Sequence, residues 1–461
     1  MAVVEKAVTA AALLLYSGGP INVILSGGYS QGDQAIAEPD YTLTSLIFRL
    51  TYLLFAGLLF ARWKKTIRAI PAGFAVFPII GLAILSYLWS SFPGETLSGS
   101  ITLIATSLFG LYIATRYTLK EQLTILGWAF GLIVVLSFTY GIVLPKYGVM
   151  GGVHAGTWRG IYTHKNTLGK MMTLSGAVFT LLVLKSREGR LIPSIFLGLS
   201  VLLILLTTSV GALVNLGMML SIIFLCQVVR AQYRWLVVLA GSLGLIISSA
   251  LVTVALNFET IVVDILGKDP TLTGRTLIWI SAWDLIQSQP WLGYGYEAFW
   301  HGMDGPSAYI WRDVMWPVPD AHNGYVELIL HLGFIGFTLF FLGYFLSLGR
   351  SILIVRNTTE VQHIWPLVYL AYVFLANIPE QTLLESNTIF WVLYVSTTIT
   401  LFLPDAVEED SAPEPTYSRS IEDVKHGPSI QAVQAAQAAR RGRLAKAPRA
   451  RRRLEANRSN I

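Results

Sequence analysis

The sequence predicts an all-α polytopic membrane protein, and three observations carry that prediction. Of 461 residues, 54% are hydrophobic and only 13% are charged, against roughly 25% charged in soluble domains. Mean hydropathy is +0.59. Apolar stretches of about 20 residues, the length that crosses a bilayer as a helix, recur along the chain. Twelve transmembrane helices are expected, at 7–26, 41–61, 69–90, 98–115, 121–144, 166–185, 191–208, 210–229, 235–256, 323–348, 364–382 and 387–404. Gly18-Gly19-Pro20 interrupts the first, and the seventh and eighth meet at Thr207-Thr208-Ser209 with almost no loop.

Lys and Arg in short loops set the orientation. Loops after even-numbered spans carry Arg62, Lys64, Lys65 and Arg68, then Arg116 and Lys120, Lys185, Arg187 and Arg190, Arg230 and Arg234, and Arg350 and Arg356. Loops after odd-numbered spans are neutral or acidic, with Asp33, Glu38 and Asp40 in one, Glu95 in another and Glu385 in the last. Both termini are therefore expected in the cytoplasm. Two longer loops, 145–165 and 257–322, fall outside, the second a large outer loop with short interfacial helices between spans nine and ten. Residues 1–404 read as one transmembrane domain. Residues 405–461 read as a disordered cytoplasmic tail, acidic at Glu408-Glu409-Asp410 and strongly basic from Arg440 through Arg453. A helix from about Ser429 docking its basic end on anionic lipid is the sharper alternative for this tail. Much of the net charge of +6 lies there, so the charge implies no nucleic-acid partner. Met1–Lys6 leads into the first span without a recognisable cleavage site. The single cysteine, Cys226, excludes an intrachain disulfide.

Positive-inside bias leaves six cations unexplained on or near the outer side: Arg49, Arg159, Lys165, Lys170, Arg275 and Arg312. Arg49 lies about eight residues into the second span, where a charge is costly and marks a functional candidate unless it snorkels to the headgroups. In Trp158-Arg159-Gly160-Ile161-Tyr162-Thr163-His164-Lys165-Asn166, three cationic or potentially cationic groups precede span six. The partly positive N-terminus of that helix adds to them, so the segment reads as an anion site or as a loop meeting lipid phosphates.

Arg275 opens a short helix over Gly274 to Ser288, stopped by Pro290. Positions 275, 279, 283 and 286 share one face, which places Arg275 with Trp279, Trp283 and Ile286. Six of the thirteen tryptophans (279, 283, 291, 300, 311 and 316) fall in this one loop. Indoles anchor helices at the interface, and their faces also serve as platforms for sugar rings. The planar fork of Arg275 suits bidentate phosphate binding. His322 stands before span ten, with Asp320 two residues away and Glu327 one turn on, and an imidazole there suits general-base work. No metal-ligand pattern, Walker motif or dinucleotide fingerprint is present, so neither an ATP-driven pump nor a cofactor or metal is expected.

These residues carry a resemblance. Thr273-Gly274-Arg275, Trp283, Pro290-Trp291-Leu292-Gly293-Tyr294-Gly295, Ala321-His322-Asn323 and Leu332-Gly333-Phe334-Ile335-Gly336 together are similar to the signature region of the O-antigen ligase and O-antigen polymerase superfamily of bacterial envelope glycosyltransferases. Arg159-Gly160-Ile161-Tyr162-Thr163-His164-Lys165-Asn166-Thr167-Leu168-Gly169 resembles a second segment, common in exopolysaccharide polymerase-like members. The resemblance covers roughly residues 40 to 404. It implies a glycosyltransferase in the bacterial plasma membrane, with its active site on the outer face. Such an enzyme moves a glycan from an undecaprenyl-diphosphate carrier to an acceptor sugar, lipid A core or another glycan repeat, without ATP or metal. It also implies membrane lipids and polysaccharide assembly proteins as partners. By resemblance Arg275 and His322 match the family's essential arginine and histidine, and Arg49, Arg159, Lys165, Trp279 and Trp283 are the expected substrate-binding residues. Ligase members often carry an arginine where Val210 stands here. That departure favours a polymerase-like member, with Arg159, Lys165 or Arg49 as substitutes. An anion or inorganic-carbon transporter and a non-catalytic assembly scaffold are the competing expectations.

Overall fold

The computed structural model describes residues 2–28, 41–185, 189–230 and 275–403, all within the compact unit Met1–Ser411. Among these residues the regular structure is helical, with an isolated antiparallel bridge between Val149 and Trp158. In chain order the helices are α1 (Ala2–Tyr16), α2 (Ile21–Leu25), α3 (Thr42–Ala61), α4 (Trp63–Ala69), α5 (Phe77–Leu85), α6 (Pro93–Arg116), α7 (Leu119–Val143), α8 (Pro145–Gly148), α9 (Lys165–Lys185), α10 (Leu191–Thr207), α11 (Val210–Arg230), α12 (Arg275–Ser288), α13 (Ser307–Val314), α14 (Gly324–Asn357), α15 (Trp365–Ala376) and α16 (Ile389–Phe402). Helix is the expected form, because only a helix or a closed barrel satisfies every backbone polar group in hydrocarbon.

Six described helices are long and apolar enough to cross a membrane: α3, α6, α7, α9, α11 and α14. A bent pair, 63–75 and 77–88, meets at 80° and makes a seventh if counted as one span. The expected total of twelve is not reached on length, for local reasons. Gly18-Gly19-Pro20 splits the first span into α1 and α2. Spans seven, eleven and twelve form as the shorter apolar helices α10, α15 and α16. The ninth expected span, 235–256, and the tail lie outside the described residues.

The bundle core is aromatic-rich, with Trp365, Trp391, Tyr112, Tyr369, Tyr372 and Phe55 among its largest fully buried side chains. In it α9 packs against α7, α10 and α11, and α6 packs against α3 and α16. A second, smaller core gathers Ile278, Ala282, Ile286, Tyr294, Phe299, Ile310, Val318 and Leu330, with Trp279, Trp300 and Trp311 packed on it. The loop segment 275–323 is therefore a folded cap with its own apolar interior. Short helices were expected in this loop, and α13 is one for which no bounds were expected.

The cap is tied to the bundle by a break in a long helix. α14 runs 34 residues, but Gly333 has φ 63 and ψ −170, a conformation close to glycine-only. An unbroken helix would pair amide 334 with carbonyl 330 and amide 335 with carbonyl 331. Here Tyr294 N donates to Leu330 O at 2.8 Å and Gly295 N to His331 O at 3.0 Å, while Phe334 N donates to Pro290 O at 2.8 Å and Ile335 N to Trp291 O at 3.2 Å. Four bonds to an outside segment thus replace two helical ones, and the four backbone groups freed by the break are all paired. The approach is close enough that a Cβ on Gly333 would overlap the Trp291 carbonyl, and one on Gly293 would lie 2.6 Å from Leu330 O. The two glycine-bearing motifs, Trp291-Leu292-Gly293-Tyr294-Gly295 and Leu332-Gly333-Phe334-Ile335-Gly336, are the two halves of this crossing.

Candidate functional site

Glu380 is the centre of the polar cluster. It lies in the connection from α15 to α16, and its carboxylate meets two cations. Arg275 Nη2 is 3.2 Å from Oε1 and Lys170 Nζ is 3.5 Å from Oε2. Asn166 Nδ2 donates to Oε1 at 3.2 Å. Arg275 also donates through Nη1 to the Pro379 carbonyl. Gly324 N donates to the Glu380 backbone oxygen at 3.1 Å. One residue therefore touches the first turns of α9, α12 and α14, whose N-termini each carry partial positive charge. Burial pushes the Glu380 carboxyl up, but Lys170, Arg275 and His322 more than offset it and hold it below the ordinary carboxylate range.

Local sequence explains the convergence. Asn377 is buried and bonds Val373 O at 2.7 Å, Thr382 Oγ1 at 2.8 Å and the Thr382 amide at 2.8 Å, which fixes the turn that presents Glu380. Gly324 lies so close to Asn377 that a Cβ there would overlap its side-chain oxygen. Asn323 caps α14, accepting from Tyr325 N at 2.9 Å and Val326 N at 3.1 Å, as a good N-cap residue does.

His322 sits at φ 48, a left-handed conformation that His tolerates better than most residues. Asp320 Oδ1 accepts from the His322 amide at 2.7 Å and lies 3.0 Å from Nδ1. With Nδ1–H donating to Asp320, Nε2 carries the lone pair and is the basic nitrogen. Burial raises the Asp320 carboxyl, but its hydrogen bonds to His322 and the charges of His322 and Lys170 bring it below the ordinary range. Ala321, between them, is clamped from two sides. Glu327 Oε2 accepts its amide at 3.0 Å, and Trp279 Nε1 donates to its carbonyl at 2.9 Å. Glu327 is thus a buried strut of the histidine loop and not a partner of His322.

Glu385 borders the same cluster. Burial pushes its carboxyl up to about 7, with Lys170 pulling down and Asp320, Glu297 and Glu380 adding to the rise. An acid of this kind changes charge near neutral pH, as groups in functional sites often do.

Arg275 and His322 both act on Glu380, while the other expected site residues have contacts of their own. Arg159 is fully buried, donating through Nε to Tyr147 O at 2.8 Å and through Nη2 to Lys146 O at 3.0 Å and to the Gly28 carbonyl. It fastens the loop before α9 to the chain after α2. His164, beside it in sequence, is half-buried, and burial and the neighbouring His154 push its pKa down to about 4. It adds no positive charge at neutral pH. Lys165 Nζ reaches Thr208 Oγ1 at 3.4 Å, next to Val210 at the start of α11. Arg49 lies exposed on α3, and Arg312 lies exposed on α13. Trp279 supports the histidine loop through its indole N–H. Trp283 departs from the expected shared face. It is 50% exposed, while Ile278, Ala282 and Ile286 form the buried stripe of α12.

Sequence reasoning counted Lys170 among the outer cations without a role, placed Asn166 at the start of span six as a possible cap, and missed Glu380. An acidic residue at the edge of an expected span was the available signal for Glu380. Among the described residues, no group of three or more His, Cys, Asp or Glu side chains is disposed to hold a metal ion.

Residues 195–341 match the family described as O-antigen ligase. That range contains Arg275, the crossing at Gly333 and the Asp320–His322 loop. The chain is also similar to the exopolysaccharide production protein ExoQ of Rhizobium meliloti (strain 1021), with 23% identity over 305 residues, 62% of this chain and 67% of that protein. Both matches make the chain similar to members of the O-antigen ligase and polymerase-like superfamily, and its several apolar helices suit a multi-pass membrane protein.

Proposed function

We propose that this protein is a membrane glycosyltransferase that moves a glycan from an undecaprenyl-diphosphate carrier to an acceptor sugar. The observation that carries the reading is the meeting of Arg275 and Lys170 on the single carboxylate of Glu380, at the N-termini of α9, α12 and α14. An incoming diphosphate competes with Glu380 for both cations. The acceptor hydroxyl oxygen attacks the anomeric carbon and the bond from that carbon to the diphosphate oxygen breaks. Arg275, Lys170 and the three helix termini stabilise the negative charge that grows on the leaving diphosphate. His322 Nε2 takes the acceptor proton, and Asp320 holds the imidazole in that tautomer and steadies the imidazolium. Arg and Lys supply the positive charge, so the reaction runs without ATP or a metal ion.

The exopolysaccharide relative favours a polymerase-like reaction over transfer to lipid A core. Val210 fits that branch, and Lys165 at Thr208 supplies a cation beside the position where ligases often carry arginine. The site faces the outer side of the plasma membrane in this reading, where lipid-linked glycans are presented. The test is a strain carrying Lys170→Ala or His322→Ala at normal protein level. Loss of polymer with accumulation of lipid-linked repeat, sized by mass spectrometry, is expected. Accumulation of long chains instead identifies a ligase, and normal polymer in both strains rejects the proposal.

A further inference from the structure

A polar cavity of about 310 Å³ is lined by Glu95, Ser98, Thr102, Glu297, Trp300, His301, His331 and Ser386. Its volume is at the lower end of small-ligand pockets, about 300–1,000 Å³. Its chemistry is the opposite of the Glu380 cluster. The lining holds two carboxylates, three hydroxyls and two imidazoles and no lysine or arginine, so it offers an anion no fixed cation. The polar wall is equally unsuited to a lipid tail.

The cavity is built around Glu297. This residue holds φ 58, a strained conformation for a side chain of its size that persists only where the surroundings enforce it. Gly99 faces it from α6, and a Cβ on Gly99 would come within 2.7 Å of Glu297 Cγ. His301 Nε2 is 2.9 Å from the Glu297 carbonyl, and the imidazole stacks on Phe92 with centroids 4.1 Å apart. Carboxylates accept hydrogen bonds only, and hydroxyls both donate and accept. A ring of such groups beside an indole matches a neutral polyol, whose hydroxyls donate to Glu95 and Glu297.

The cavity is also joined to the reacting groups. Glu327 Oε1 accepts from Trp300 Nε1 at 2.6 Å and lies 3.1 Å from His331 Nε2, while its Oε2 holds the Ala321 amide next to His322. Ser386 in the cavity wall and Glu380 in the cation cluster lie on the same connection from α15 to α16. One wall is therefore bonded to the histidine loop, and another shares a connection with Glu380.

We propose that this cavity seats a neutral saccharide unit of the acceptor glycan, with Glu297 and Glu95 receiving its hydroxyls and Trp300 packing on the ring. The inference rests on the glycosyltransferase reading, and its test separates the two. Full-length protein in detergent is titrated with three probes: oligosaccharides from partial hydrolysis of the host's exopolysaccharide, deacylated lipopolysaccharide core, and undecaprenyl diphosphate. Wild-type, Glu297→Gln and Thr102→Trp proteins of matched thermal stability are compared, the last filling the cavity. The expected result is that one saccharide binds the wild type and weakens at least tenfold in both variants, with undecaprenyl diphosphate affinity unchanged. Which saccharide binds identifies the acceptor source. Unchanged saccharide affinity in both variants, an equal loss of undecaprenyl diphosphate affinity, or no saccharide binding to a wild type that binds undecaprenyl diphosphate overturns the inference. Failure of the wild type to bind undecaprenyl diphosphate instead strikes the glycosyltransferase reading itself.

Discussion

Arg159 and Arg275 look alike in the sequence: each is an arginine in an expected outer loop, close to a helix start and flanked by tryptophan. In the structure they differ in every respect that matters for binding. Arg159 is sealed from solvent and donates to the carbonyls of Gly28, Lys146 and Tyr147. Arg275 faces a carboxylate shared with Lys170. A buried carbonyl is not displaced by a phosphate without stranding a buried polar group. A carboxylate that already neutralises a cation holds the place an anionic ligand can take. The difference shows that an arginine's function lies in what it is bonded to before the ligand arrives.

The largest effect that separates the two arginines concerns chemistry. Arg275→Ala should lower glycan transfer by a factor on the order of 10²–10³, the size seen when a stabiliser of transition-state charge is removed. Its thermal stability should stay close to wild type. Arg159→Ala should do the reverse. Losing several charge-assisted bonds in a buried site should cost about 3 kcal/mol or more, read as a fall in unfolding midpoint and in membrane abundance, with near-normal specific activity in the protein that remains. If Arg159→Ala protein is stable and inactive, the contrast is mistaken.

A smaller effect tests the crossing that carries the cap. Gly333→Ala places a Cβ against the Trp291 carbonyl in a backbone conformation that disfavours it. A loss of about 1–3 kcal/mol is expected. Limited proteolysis should then cut within 290–323 before it cuts the bundle. Cleavage no faster than in the wild type would show that the cap does not depend on the break in α14.

The smallest effect is a pH dependence. Burial raises the Glu385 carboxyl from 4.5 to about 7. The folded state therefore binds more protons than the unfolded state between those values. The stability linked to Glu385 is fully present below about 4.5 and is lost as pH rises through about 7. The same deprotonation adds a negative charge beside Lys170, so diphosphate affinity should fall over that range. Glu385→Gln should flatten this fall, measured as binding at pH 6 and pH 8. An identical pH profile in the variant would remove Glu385 from the site.

Much of the framework was legible in the sequence, because apolar length and helix punctuation are local signals. The short helix expected over 274–288 forms as Arg275–Ser288, and the interruption at Gly18-Gly19-Pro20 splits the first span. Arg275, His322 and Asp320 stood out because charge in so apolar a chain is rare. Other features left no local trace. Glu380 follows Arg275 by more than a hundred residues, and only the fold brings it to Lys170. The described partners of Arg159 include three backbone carbonyls, which every residue possesses, so no pattern announces them. The glycines of the crossing mark two segments that need close approach, but their pairing is set by backbone bonds between positions 290–295 and 330–335. Trp279 and Trp311 direct their N–H groups to the carbonyls of Ala321 and Val318 and hold the cap together.

The most direct test of the central claim is binding of undecaprenyl diphosphate to purified wild-type and Arg275→Ala protein, with undecaprenol as the uncharged control. Wild-type protein should prefer the diphosphate strongly over the alcohol, and Arg275→Ala should lose at least tenfold in diphosphate affinity while its affinity for undecaprenol is unchanged. Equal diphosphate affinity in the two proteins would contradict the assignment of the Arg275–Lys170–Glu380 cluster as the diphosphate seat.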